Sequence, residues 1–355
     1  MIDSLRRWLE AERLDAAYLT DPLDIAYLTG FRTNPHERLL ALAVRPDTAT
    51  LIVPGLEAES AGRVVGAEVQ VRGWRDGEDP YRLVEDALEG AREVAVAKAH
   101  ISFAAGERLL GLDLRLRDAG PQMRRMRVVK SPEEVKLLAR AAEVTDEITA
   151  RILDDLAAGQ AELEVATRLA ALISESGCTP SFESIVQTGP NSAMPHLRPS
   201  GRRIQAGDLV LLDFGAAWQG YRGDTTRTWV AGEPDPRQLE VHGAVLAAHD
   251  RALAAVRPGA TAGEVDEAAR AVIREAGLGE YFIHRVGHGL GLDAHEDPSL
   301  DPGSTTVLEA GMAVTIEPGV YIPGWGGVRI EDDVVVEESG HRLLTHAPRD
   351  LASIA

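Results

Sequence analysis

One cysteine, Cys178, stands among 355 residues, so no intrachain disulfide can form. That scarcity fits a reducing compartment. No apolar run approaches the ~18 residues that a membrane-spanning helix requires. Positive charge is also short: 37 Lys and Arg against 56 Asp and Glu leave a formal charge of −19. Such a surplus repels phosphate backbones and anionic membranes, so neither nucleic acid nor membrane is an expected partner. Its plainest consequence is solubility. The first residues, MIDSLRRWLEAERLDA, read as a charged amphipathic helix rather than a basic flank ahead of an apolar stretch. The expected location is the cytoplasm.

What is present suffices for two ordinary domains with a hydrophobic fraction of 45%. In the first third, apolar runs at 39–44, 49–54, 69–74 and 93–98 read as strands. Helical patterns fall at 56–64, 80–89 and 103–110, and the alternation predicts an α/β layered domain. The texture changes near residue 125, where basic RRMRVVK precedes Ser131-Pro132-Glu133-Glu134. Ser131 can cap, Pro132 suits the first helical position, and Glu134 can complete a capping box. Domains of 1–125 and 126–355 are therefore expected. In the second, helices are predicted at 131–158, 162–176, 235–256 and 262–276, with Thr261 and Glu264 as another capping box. Strands at 182–188, 208–214, 224–230, 313–317 and 327–337 make it an α+β domain.

The chemistry starts at Asp213 in LVLLDFG, after four apolar residues that describe a strand buried on both faces. An ionised carboxylate there costs several kcal/mol unless a partner or metal offsets it. Asp224 follows eleven positions on, opening DTTRTWV, and the intervening loop can return the chain antiparallel. Alone, either aspartate reads as a strand-end residue; paired in matching context, they read as ligands. The segment IHRVGHGLGLDAHEDP then gathers three of the ten histidines, His284, His288 and His295, within twelve residues. Gly287, Gly289 and Gly291 argue against a helix, each weakening it by about 1 kcal/mol, and permit close backbone approach instead. By contrast His242, His249, His341 and His346 read as ordinary hydrogen-bonded histidines. Glu317 ends an apolar strand in TIEPG. In GGVRIEDDVVV the alternation sets Arg329 and Glu331 on one face, either as a surface ion pair worth ~0–1 kcal/mol or as one wall of a cleft.

Together these residues offer four carboxylates and at least one imidazole, with no thiolate. Hard oxygen donors suit Mn²⁺ and tolerate Co²⁺ or Zn²⁺. Four carboxylates are too many for a single catalytic zinc, which usually takes three protein ligands. They suit a pair of cations roughly 3.5 Å apart, and the reaction implied is hydrolysis.

DFG with a second Asp eleven on, GHGLG, AHE, IEPG and RIED occur here in one order and spacing. This pattern resembles the methionine aminopeptidase and Xaa-Pro peptidase family, whose catalytic domain has the pita-bread fold. DIAYLTGF at 24–31 and VVKSPEEVKLLARAAEVTD at 128–146 extend the resemblance to the first, creatinase-like domain and the linker of the Xaa-Pro branch. The resemblance implies that Asp213, Asp224, His288, Glu317 and Glu331 hold two metal ions, with Asp224 and Glu331 bridging both. It implies that Glu317 also shuttles the proton to the leaving imine nitrogen. His295 then steadies the scissile carbonyl, His196 in NSAMPH holds substrate beyond the metals, and His284 lines the proline pocket. Arg329 anchors the carboxylate side, and Thr226 hydrogen-bonds near the bridging water.

An Xaa-Pro bond resists most peptidases because proline fixes φ and lacks an N–H. The stretch GFRTNPHERLLAL at 30–42 resembles the NPHER or DPHER segment of bacterial proline dipeptidases. There, this loop closes a partner's active site, which makes His36, Glu37 and Arg38 candidate specificity residues and implies a homodimer. The expected activity is hydrolysis of Xaa-Pro dipeptides. The alternatives are an Xaa-Pro aminopeptidase acting on longer peptides and, more distantly, a binding protein of the same fold that does no chemistry. Arg222 departs from the small residue usual in the family before the second aspartate, and bears on the residue preferred ahead of proline.

Overall fold

A computed structural model describes residues 1–355. The chain separates into two compact units, 1–127 and 128–355.

In the first unit a six-stranded mixed sheet runs in the order Val69–Trp74, Ala49–Pro54, Ala41–Val44, Ala16–Leu19, Glu93–Val96, Arg115–Asp118. The alternation of side chains along a strand divides the core between two faces. On the central strand Ala17 and Leu19 join one apolar cluster, while Ala16 and Tyr18 join the other. Helices Ile2–Glu12 and Pro22–Thr29 contribute Leu5, Leu9, Ile25 and Leu28 to the first cluster. Two of these strands lie outside the four predicted from the sequence. AAYL is too short to show a period, and Arg115–Asp118 is a mostly exposed, charged edge strand.

The second unit repeats one packing theme twice. Helices Pro132–Asp155 and Glu162–Glu175 pack Ile148, Ile152, Leu169 and Leu172 against Val186, Leu212, Phe214 and Trp229. Those last four belong to an antiparallel sheet of Ile185–Thr188, Leu209–Phe214 and Thr225–Ala231, to which Ser353–Ile354 adds a parallel edge. Helices Pro236–Ala255 and Ala262–Glu275 likewise bury Val245, Ala252, Val265 and Ile273 against Val314, Ile316, Val334 and Val336. These lie in a five-stranded sheet built on Ala313–Ile316 and Asp332–Glu337. The capping boxes at Ser131/Glu134 and Thr261/Glu264 are both formed.

One expectation is corrected. The run 327–337 is two strands, Gly326–Arg329 and Asp332–Glu337, in different sheets. The chain leaves one sheet at Ile330-Glu331 because the backbone there finds partners elsewhere. The Glu331 N–H donates to Thr226 O at 3.1 Å. The Arg227 guanidinium, 1% exposed, fills the junction: it donates to Glu331 O at 2.5 Å, Thr226 O at 2.9 Å and Ala347 O at 2.8 Å. It also pairs with Asp332 at 2.8 Å, which takes further bonds from Arg349 at 2.5 Å and Thr345 at 2.8 Å and lies 2.9 Å from His249 Nε2. Burial alone would raise the Asp332 pKa, but Arg227, His249 and Arg349 hold it well below the ordinary carboxylate range. Asp332→Ala would strand two guanidinium groups, so it is expected to lower unfolding free energy by about 3–5 kcal/mol in urea denaturation.

Candidate metal centre

Strand pairing brings the first two carboxylates together. Asp213 stands opposite Thr226 in the register of Leu209–Phe214 with Thr225–Ala231, and Asp224 immediately precedes that second strand. Glu317 directly follows the strand Ala313–Ile316, and Glu331 directly precedes the strand Asp332–Glu337 that pairs with it. Strand-end positions fix the backbone while letting the side chain leave the plane of the sheet. All four carboxylates, with His288, line a cavity of about 1090 Å³.

His288 opens a two-residue strand between glycines. A Cβ on Gly287 would lie 1.9 Å from Thr315 O, and one on Gly289 would lie 2.1 Å from Asp297 O. Only glycine lets the histidine backbone sit this deep. The ring's Nδ1 lies 3.1 Å from Gly289 O, which assigns the proton to Nδ1 and leaves the Nε2 lone pair facing Glu317 Oε1 at 3.3 Å. Burial, and then His295 beside it, push the His288 pKa down to about 3, so the ring is neutral.

Side-chain oxygens of Asp224 and Glu331 and a nitrogen of His288 lie within 4.8 Å of one another, and all three residues are buried. The other two predicted ligands border this triad. Asp213 Oδ2 accepts a hydrogen bond from Arg329, and Glu317 Oε1 accepts one from Thr315 at 3.4 Å. Arg329 and Glu331 are 3% and 2% exposed, so they form no surface pair but part of one cleft wall. Thr226 links them, donating to Glu331 Oε2 at 2.5 Å and accepting from Arg329 Nε at 2.9 Å.

The residues fit divalent cations. Asp213 Oδ1 and Asp224 Oδ1 are buried with no hydrogen-bond partner, although buried carboxylate oxygens nearly always have one. Burial raises the pKa of Asp213 against the pull of Arg329. Asp224 and Glu331 are raised well above the ordinary range by burial and by neighbouring carboxylates. Glu317 is pushed up to about 7, chiefly by burial. Crowded carboxylates with free lone pairs and one neutral imidazole are a donor set for hard or borderline cations.

The remaining predicted residues divide. His196, His284 and His295 line the same cavity, with the His295 ring centroid 4.3 Å from that of His288. Arg222 is tied down: its Nε donates to Leu292 O at 2.9 Å. His36, Glu37 and Arg38 lie in the N-terminal unit, outside any helix or strand. There Arg38 is held by Asp76 and Glu37, each at 3.0 Å.

Two further side chains bear on these residues, one lining the cavity and one bonded to its lining. Arg285 lines it and donates to Ser299 Oγ at 2.6 Å. Tyr321, 3% exposed, links two predicted residues, accepting from Arg329 Nη1 at 2.9 Å and meeting His284 Nε2 at 3.0 Å. The His284 Nδ1 lies 2.7 Å from Arg285 O, so the proton sits there and Nε2 accepts from the tyrosine. Burial, then Arg329, lower the His284 pKa to about 4, consistent with a neutral ring. In VYIP the tyrosine reads as one more core residue of an apolar strand, and Arg285 as a loop cation; neither carried a signal.

Paired sheets and helices around a carboxylate-rich cavity define a pita-bread, metal-dependent hydrolase. Residues 136–338 match Metallopeptidase family M24, and residues 1–129 match the Creatinase/Prolidase N-terminal domain. The chain belongs to metallopeptidase family M24, which bears out the resemblance drawn from its motifs. A relative from Lactobacillus helveticus described as an Xaa-Pro dipeptidase is 39% identical, over 99% of this chain and 98% of its own. Among solved structures, a recombinant prolidase from Thermococcus sibiricus superposes with a TM-score of 0.94 at 35% identity, covering 99% of this chain and 98% of the other. The Xaa-Pro dipeptidase from Bacillus anthracis gives 0.93 at 32% identity, covering 99% of each.

Tyr321→Phe removes the bridge between Arg329 and His284 while keeping the ring. Leaving Arg329 Nη1 and His284 Nε2 without that partner is expected to cost about 1–3 kcal/mol of stability, read from the shift in urea midpoint.

Proposed function

We propose that the protein is a cytoplasmic Xaa-Pro dipeptidase that releases proline by metal-dependent hydrolysis. The observation that carries this reading is the buried triad of Asp224, His288 and Glu331 within 4.8 Å, in a cavity also lined by Asp213, Glu317 and three further histidines. The prolidase and the two Xaa-Pro dipeptidases named above support the choice of substrate.

Asp213, Asp224, His288, Glu317 and Glu331 would hold two divalent cations, Mn²⁺ in first place and Co²⁺ or Zn²⁺ as substitutes. Bound there, the cations supply a water made nucleophilic at neutral pH and polarise the scissile carbonyl. The residues divide the rest of the work. Asp224 and Glu331 would contribute to holding both cations, and Thr226 fixes the Glu331 carboxylate. Glu317 Oε1 takes the proton from the attacking water and returns it to the proline nitrogen as the C–N bond breaks. His295 steadies the carbonyl oxygen and His196 holds the substrate from the far wall. His284, fixed in one tautomer, lines the space for the proline ring.

A free carboxylate after proline needs positive charge. Arg329 spends its hydrogen bonds on Asp213, Thr226 and Tyr321, so it acts on that carboxylate through its field. Arg285 adds a second positive charge to the same wall. His36, Glu37 and Arg38 are assigned to a loop that closes a partner subunit's site around a dipeptide, which makes the working form a homodimer.

The test is proline release from Leu-Pro against cleavage of Leu-Pro-Pro with Mn²⁺ present. Preference for Leu-Pro is expected; preference for the tripeptide would make the protein an aminopeptidase. Chelation should abolish turnover, and added Mn²⁺ should restore it. Glu317→Gln is expected to lower kcat by about 10²-fold or more, the scale of a lost general acid-base group. A near-normal kcat would remove Glu317 from proton transfer. Arg38→Ala should slow Leu-Pro turnover while leaving bound metal per chain unchanged, and an unchanged rate would sink the closing-loop assignment.

A further inference from the structure

His196 stands on the connection between Thr188 and Ser200, a 3-10 turn at Gly189–Ala193 followed by irregular chain that also carries Met194 and Leu197 into the cavity wall. Irregular backbone does not hold a side chain in place without help, and here the help comes from a carboxylate outside the cavity. Glu162, the first residue of the helix Glu162–Glu175, is completely buried. Its Oε1 accepts from Thr188 N at 2.9 Å, Thr188 Oγ1 at 3.0 Å and Asn191 Nδ2 at 2.9 Å. Its Oε2 accepts from Ser200 N at 3.0 Å, Ser200 Oγ at 2.6 Å and Asn191 Nδ2 at 3.1 Å.

Every one of these donors is neutral. The nearby guanidinium of Arg202 is committed to Asp208 and Thr188 Oγ1. Glu162 is therefore no half of an ion pair. Its two oxygens gather the start and the end of one loop, drawing Thr188 and Ser200 onto a single group. The middle of the loop has a separate tie: fully buried Gln187 donates to Met194 O at 2.6 Å and Leu197 O at 3.0 Å, on either side of His196.

We infer that Glu162 is a positioning residue for the hydrolysis proposed above: it closes the 188–200 loop at its base and so sets the place of His196 in the cavity. The inference rests on the dipeptidase reading for its kinetic consequence and on hydrogen bonding alone for its structural one. A carboxylate suits the task because it is acceptor-only, and all the groups aimed at it are donors. Glutamine is nearly isosteric but replaces one acceptor with an NH₂, which would face N–H and O–H donors and release one end of the loop.

The experiment compares wild type, Glu162→Gln, His196→Ala and the double variant, with Asn191→Ala as a milder second probe should Glu162→Gln not fold. Hydrogen-deuterium exchange should rise in 188–200 for Glu162→Gln or Asn191→Ala and stay unchanged in 209–231. Bound Mn per chain should not change, because no proposed ligand is touched. In kinetics on Leu-Pro, Glu162→Gln should lower kcat/KM about tenfold, the scale of a displaced positioning group. In the His196→Ala background the same substitution should cost no more than about twofold, since both act through one side chain. Unchanged exchange in 188–200 overturns the inference, as does an equal loss in both backgrounds. Absence of Leu-Pro hydrolysis by the wild type would instead overturn the proposed function, leaving the clamp to be decided by exchange alone.

Discussion

The constraint on which the second unit depends is the mutual repulsion of acidic groups out of water. Asp213, Asp224, Glu317 and Glu331 share one cavity, and the closest of their oxygens fall within 4.8 Å. Two full negative charges at that distance repel by roughly 3 kcal/mol at an effective dielectric of about 20. A single guanidinium, Arg329, lies against Asp213, and it does not prevent Asp224 and Glu331 from being raised well above the ordinary range. The arrangement is costly to the apoprotein and becomes favourable with divalent charge between the carboxylates. Binding and folding are then linked, since a cation that prefers the assembled site stabilises the fold that assembles it.

Holding such a site requires rigidity behind it, and the structure supplies that with buried cations bonded to backbone. Arg227 donates to Glu331 O and Thr226 O, so one side chain ties the strand after Asp224 to the segment carrying Glu331. Asp332 completes the set, with His249 Nε2 2.9 Å from its carboxylate. Asp333, next along, accepts the Asp224 N–H at 2.9 Å. The IEDD segment thus faces two ways: Glu331 lines the cavity, while Asp332 and Asp333 brace the strands that present the proposed ligands.

Legibility in the sequence followed the locality of each signal. Capping boxes, the eleven-residue step from Asp213 to Asp224 and the glycines around His288 are short-range patterns, and the structure forms each of them. The break at Ile330-Glu331 was illegible because its cause, Arg227, lies more than 100 positions earlier. Tyr321 hid inside an apolar strand for a similar reason: the polar handle of a buried tyrosine cannot be told from core packing until its partners are known. Glu162 carries no local signal beyond its place at the start of the helix predicted at 162–176, and its contacts 26 to 38 residues downstream set its role. The residues proposed to carry chemistry sit in recognisable words; those that aim them are dispersed.

The glycine-rich histidine segment shows how a local motif can do both. His284 and His288 each direct Nδ1 at a backbone carbonyl of the residue that follows, Arg285 O at 2.7 Å and Gly289 O at 3.1 Å. Each ring is thereby fixed in the tautomer that leaves Nε2 free for the cavity, toward Tyr321 in one case and toward the carboxylates in the other. A carbonyl is a better orienting partner here than another carboxylate. It selects the tautomer and rotation of the ring without adding negative charge to a site that already has too much. A side chain at 287 or 289 would collide with neighbouring backbone, so the glycines are what bring that carbonyl and His288 to this depth. Histidine and glycine in GHG are therefore one device: the first offers the lone pair, and the second allows the backbone to aim it.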